Sequence, residues 1–184
     1  MPSTRRRFLA AVGASGLAGT ASCLAVVGRD LPVREVGAPV ESVGGTGRLK
    51  TPDGRFRALA VGDRDGVPFP DANRPVPVRV WNDADRERTL RIRLTLGDDG
   101  TVFDRRIAFP ADDVLVVDLR EPNGYELAWV DDGEARSLAT VAASYFDCNE
   151  SVFEAAVRAD GRVESAGLTT TLGCPWTSHV GSPF

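Results

Sequence analysis

The chain has 184 residues, with 22 Lys and Arg against 26 Asp and Glu and a formal net charge of −4. That length holds one domain with a sizeable core plus a targeting segment, and the acidic balance argues against nucleic acid or an anionic membrane surface as the ligand. With 19 Gly and 12 Pro, and no apolar run of helical period after residue 28, short strands joined by turns are predicted and little helix.

The chain opens on an address. Arg5, Arg6 and Arg7 precede Phe8 and Leu9, and a run rich in Ala, Gly and Leu leads to Cys23. A basic start, an apolar middle and a small-residue end is the layout of an export signal. Thr4-Arg5-Arg6-Arg7-Phe8-Leu9 resembles the twin-arginine signal Ser/Thr-Arg-Arg-x-Phe-Leu, which implies that the twin-arginine export machinery carries the domain out already folded. Thr20-Ala21-Ser22-Cys23 resembles a lipobox, with Thr where Leu or Val is preferred. The resemblance implies a two-chain lipid on Cys23 and removal of residues 1–22 as a signal peptide. Residues 8–28 carry no charge over about 21 positions, enough at about 1.5 Å per residue to cross a bilayer. An uncleaved helical anchor therefore stands beside the lipid as an alternative, and full release as a third. Lipid and helix alike would leave the domain extracytoplasmic, anchored to the outer face of the cytoplasmic membrane.

Residues 23–53 contain Pro32, Gly37, Pro39, Gly44, Gly45, Gly47 and Pro52 and read as a flexible spacer with at most one short strand near 33–40. A folded domain is expected over 54–175. "VPVRVW" sets Val76, Val78 and Val80 against Arg79 and Trp81, and "RTLRIRLTL" sets Leu90, Ile92, Leu94 and Leu96 against Arg91, Arg93 and Thr95, the period of half-buried strands. "VFDRRIAF" offers Phe103, Ile107 and Phe109, while "VLVVDL", apolar almost throughout, suits the middle of a sheet. "YELAWV", "SLATVAASYF", "SVFEAAVRA" and "RVESAGL" complete the strands, with turn clusters at 82–86, 97–100, 110–113, 122–124, 131–133 and 160–161. Residues 176–184 form a C-terminal tail. Strands so spaced, without a long helical crossover, predict an all-β, antiparallel β-sandwich.

"VRVWNDADRERTLRIRLTL", "TVFDRRIAF", the "PADD" turn, "VLVVDL" and "YELAWVDDGEA" together resemble immunoglobulin-like domains of exported haloarchaeal proteins over residues 74–170. The resemblance implies an immunoglobulin-like fold. Lys50 is the single lysine, and 17 Asp stand against 9 Glu, a composition that resembles proteins of extremely halophilic archaea, a GC-rich genome being the alternative source. With Cys23 taken by the anchor, Cys148 and Cys174 remain as a disulfide pair in an oxidising compartment, free buried thiols being the alternative. A hairpin of "SVFEAAVRA" and "RVESAGL" about Asp160-Gly161 would bring their flanks together. The two are too near in sequence to match the inter-sheet bridge of antibody domains.

Chemistry is sparse. His179 is the single histidine and lies in the tail, with no nucleophile and orienting carboxylate assignable beside it. A blue-copper centre would need two His. Asp63, Asp65, Asp71 and Asn73 in "GDRDGVPFPDAN" are weak cation candidates without the closing Glu and flanking helices of the helix-loop-helix calcium site, and solvated turn residues are the alternative. Trp81, Trp129 and Trp176 could line a sugar or peptide surface, or simply pack. No catalytic residue, metal centre or cofactor is assigned. The reading is a non-catalytic binding or structural module of the cell surface whose partner is another surface protein or an envelope component. The alternative is an accessory lipoprotein that captures a small molecule or cation for a transporter or redox partner.

Overall fold

Alternating apolar residues become strands almost wherever they occur. A computed structural model describes residues 31–37, 48–53, 55–97 and 100–171. The export residues Arg5, Arg6, Phe8 and Leu9, the anchor Cys23, and Cys174, Trp176 and His179 lie outside the described residues. The strands are β1 (Val33–Glu35), β2 (Arg57–Val61), β3 (Val76–Asp83), β4 (Arg88–Leu96), β5 (Thr101–Phe109), β6 (Val114–Leu119), β7 (Tyr125–Asp131), β8 (Glu134–Val141), β9 (Ser151–Arg158) and β10 (Val163–Thr169). Among the described residues the one helical element is a 3-10 turn, Ala143–Tyr145, and no helix is long and apolar enough to cross a membrane.

The protein is all-β, in two sheets: six strands in the order β1-β2-β6-β3-β9-β10 and four in the order β5-β4-β7-β8. Leu59, Val61, Val78, Leu115 and Val117 of the larger sheet share one apolar cluster with Leu90, Ile92, Phe103, Ile107 and Leu127 of the smaller. Burying such side chains stabilises by about 1.5–3 kcal/mol each, and this shared core is what the strand alternation encodes. β6 is central, as its near-continuous apolar run implies.

The larger sheet is not purely antiparallel. β2 runs parallel to β6, and β3 runs parallel to β9, which corrects the antiparallel expectation. A parallel pair requires a long crossover. Here the crossovers run through the other sheet: β4 and β5 of the smaller sheet, with β3, fall between β2 and β6, and β4, β5, β7 and β8, with β6, fall between β3 and β9.

Three further differences have local causes. Residues 31–36, expected in the spacer, join the domain: Leu31 is buried in the core, β1 pairs with β2, and the Val36 amide donates to the Ala58 carbonyl. "SLATVAASYF" is not one strand. β8 starts at Glu134, directly after a turn whose Asp132 and Gly133 both have positive φ (47° and 88°), as a two-residue hairpin requires. It ends at Val141, where the 3-10 turn sets the Tyr145 ring edge-on to Phe153 at 5.0 Å. Finally, Trp81 does not face water. With Ala58, Val114, Val116 and Ala156 it forms a second apolar cluster on the outer side of the larger sheet, packed by Val36 and Leu49.

Candidate functional site

The acidic loop is organised around an arginine. Arg64 donates to the carbonyls of Arg120 (2.8 Å), Pro70 (2.5 Å) and Asn73 (2.6 Å), and burial lowers its pKa while Asp118 opposes that shift. Asp63 is taken by Arg34 at 2.5 Å, and its amide donates to Glu121 at 3.0 Å. Among the described residues no group of three or more His, Cys, Asp or Glu converges as metal ligands. Asp63, Asp65 and Asp71 are therefore not gathered around a common point.

The tryptophans that could have lined a ligand surface pack instead. Trp81 donates its indole N–H to Asp112 at 2.9 Å, and the Arg158 guanidinium lies over its ring at 5.4 Å. Trp129 is buried with two guanidinia near its ring, Arg136 at 4.9 Å and Arg88 at 5.7 Å from the ring centre. Both arginines reach from the smaller sheet to the larger: Arg88 donates to the Arg158 carbonyl at 2.7 Å and Arg136 to the Gly161 carbonyl at 2.7 Å. Stacking and hydrogen bonding by one planar fork suits Arg and not Lys.

Beside this clamp the turns after β3 and β7 frame a groove of about 510 Å³, lined by Arg86, Arg88, Arg91, Arg106, Thr89 and Trp129 among others. Asn82 holds its shape. This side chain is fully buried, and its amide donates to the carbonyls of Arg86 (3.0 Å) and Pro110 (2.8 Å), tying the turn before β4 to the end of β5.

The groove opens on the outer face of the smaller sheet, where Arg91, Arg93, Asp104 and Arg106 are neighbours. Arg93 pairs in register with Asp104, and Arg91 with Arg106. Asp104 is the one acid on the strand pair, and both arginines of β4 take it: Arg91 bidentately at 2.7 and 2.9 Å, Arg93 at 2.9 Å. These hydrogen bonds, that of Arg91 first, hold the Asp104 carboxyl below its ordinary pKa and raise that of Arg91. No oxygen of Asp104 hydrogen-bonds Arg106.

Comparison with models of known protein families and with curated proteins finds no match.

A second polar pair lies under cover on the outer side of the larger sheet. Arg79 and Glu154 are register neighbours on β3 and β9, 3% and 1% exposed, with Nε 3.7 Å from Oε1. The Arg79 guanidinium also donates to the Pro52 carbonyl, which fastens residues 48–53 across the sheet. Sequence reasoning placed Arg79 on a wet face, because a charged residue alternating with Val is the ordinary sign of solvent. The groove was missed as well, since Arg86, Arg91 and Arg106 come from a turn and two strands and meet only through the register.

Cys148 sits between the 3-10 turn and β9 and is not a free thiol.

Proposed function

We propose that the chain is a non-catalytic module, displayed outside the cell on a membrane tether, that holds a partner on the outer face of the four-stranded sheet. The observation that carries this reading is the charge of the β4–β5 part of that face: Arg91, Arg93 and Arg106 stand around Asp104, the one acid of these two strands, on a chain whose total charge is −4. Charge concentrated against the sign of the whole molecule serves partner recognition. The tether, the twin-arginine route and the halophilic setting rest on residues 4–23 and on composition. The immunoglobulin-like reading rests on the pattern of residues 74–170, which spans β3 to β10, and on two sheets around one core. A Cys148–Cys174 bridge belongs to the same proposal. It is supported by the β9–β10 hairpin, whose flanks meet where the Glu150 amide donates to the Thr170 hydroxyl at 2.9 Å.

A photo-crosslinking residue at Ala108, exposed on the outer face of β5, tests the reading in cells, with Ser165 on β10 as control. Crosslinks to a surface protein or envelope component are expected from Ala108 only, and in Arg5→Lys/Arg6→Lys cells they should vanish as export stops. Equal capture from both positions, or capture of cytoplasmic proteins, overturns it. The alternative of a small-molecule carrier is favoured by the groove itself, and predicts that Ala108 crosslinks nothing while a low-molecular-weight ligand copurifies.

A further inference from the structure

Among the described residues, 17 arginines occur, and all but Arg86 and Arg106 make a hydrogen bond, an ion pair or a ring contact. Both exceptions line the same groove. The cause for Arg106 is visible in the register: it lies opposite Arg91, a like-charge pairing that disfavours the sheet by itself, and the Asp104 oxygens that could relieve it are already engaged. Arg86 is carried into the groove by the turn that Asn82 fixes through the Arg86 carbonyl.

We propose that this groove binds side-chain carboxylates of an acidic segment of a partner protein, with Arg106 and Arg86 as the principal donors. A guanidinium offers two parallel N–H groups that match a carboxylate bidentately. An arriving carboxylate would also screen Arg91 from Arg106. The Thr89 hydroxyl, in the same lining, adds a donor. The acids of the lining, Glu87, Asp131 and Asp132, confine favourable contact to the guanidinia themselves, which suits single carboxylates better than a phosphate chain. These acids interrupt the continuous basic track that a nucleic-acid backbone requires, whereas carboxylates spaced along a peptide fit between them. The inference rests on the reading that this face is the one a partner meets, and it adds the chemistry of what is met.

The test uses the full-length chain in detergent and a fluorescent hexaglutamate peptide, with hexaglutamine and inorganic phosphate as the other arms. Anisotropy should report binding of hexaglutamate that weakens as salt rises. Arg106→Gln should lower the affinity about tenfold, with Arg106→Lys between, and Arg162→Gln should leave it unchanged. Thermal unfolding of Arg106→Gln should not fall below wild type, because the side chain has no partner to lose and its removal takes a like charge away from Arg91. No hexaglutamate binding at low salt, affinity unchanged in Arg106→Gln, or displacement by phosphate at equal concentration each overturns the proposal. Crosslinking at Ala108 without hexaglutamate binding would remove the carboxylate site and leave the face; hexaglutamate binding without crosslinking would do the reverse.

Discussion

At the scale of a single residue, Asp104 shows how one carboxylate can order a surface. It collects three hydrogen bonds from Arg91 and Arg93, and these hold its pKa below the ordinary value. A carboxyl with a lowered folded-state pKa contributes stability that is fully present above the unfolded value of about 3.9. That contribution disappears as the pH falls through the depressed folded value. Glu164, held down by Arg158, and Asp160, held down by Arg162, act in the same sense. Asp104→Asn should therefore be less stable than wild type at neutral pH, by a modest amount because the site is near solvent, and the difference should shrink as the pH falls below the unfolded value of about 3.9 and through the depressed folded value. Urea midpoints across that range check it; a gap independent of pH would mean that the arginines gain nothing from the charge.

At the scale of elements, β5 is an edge strand of nine residues, long enough to recruit another chain. Phe103, Ile107 and Phe109 of β5 are buried in the core, and alternation puts Arg105 on that same side, where it is exposed and lies 6.0 Å from the Phe103 ring centre. A charge on the inward side of an edge hinders a further strand from docking there. Arg105→Val should produce dimers or larger species by light scattering, and a variant that stays at wild-type mass would mean the edge is guarded otherwise. β4 and β5 were legible in the sequence because one side of each is wet, so their period of two reports burial directly. β3 was half legible: its core side is right, but Arg79 and Trp81 lie beneath residues 48–53 and Val36, and alternation carries no sign of a cover arriving from elsewhere in the chain. β2 went unnamed, since "RALAV" is short and its small alanines give little contrast. The parallel pairings were beyond reach, because an apolar pattern fixes which side of a strand is buried and leaves its neighbour undetermined.

At the scale of the whole molecule, the hairpin of β9 and β10 is joined to the rest at several places. β9 lies along β3, Arg88 and Arg136 grip carbonyls at the turn, and the Thr170 amide donates to the Glu150 carbonyl at the open end. A Cys148–Cys174 bridge closing a loop of about 27 residues would add about 3–4 kcal/mol by restricting the unfolded chain. Reduction should then lower the urea midpoint while the strand signal in circular dichroism persists. Two alkylatable thiols in protein taken from the cell surface would exclude the bridge. The site was less legible than the fold for a related reason: its residues come from a turn and two strands, and only the assembled register shows which guanidinia are left over.

The early start of the fold would shorten the proposed leash. Leu31 is already in the core and β1 begins at Val33, so a lipid on Cys23 would leave about eight residues of free chain, at most about 30 Å when fully stretched. The domain would then be moored beside the bilayer by its β1 edge rather than sweep a wide arc on a long spacer. Six strands at about 4.8 Å carry β10 roughly 24 Å farther along the sheet. On the proposed lipid anchor, a partner would have to come to the membrane's own boundary layer to be met, and it would meet an orientation that the mooring had already restricted.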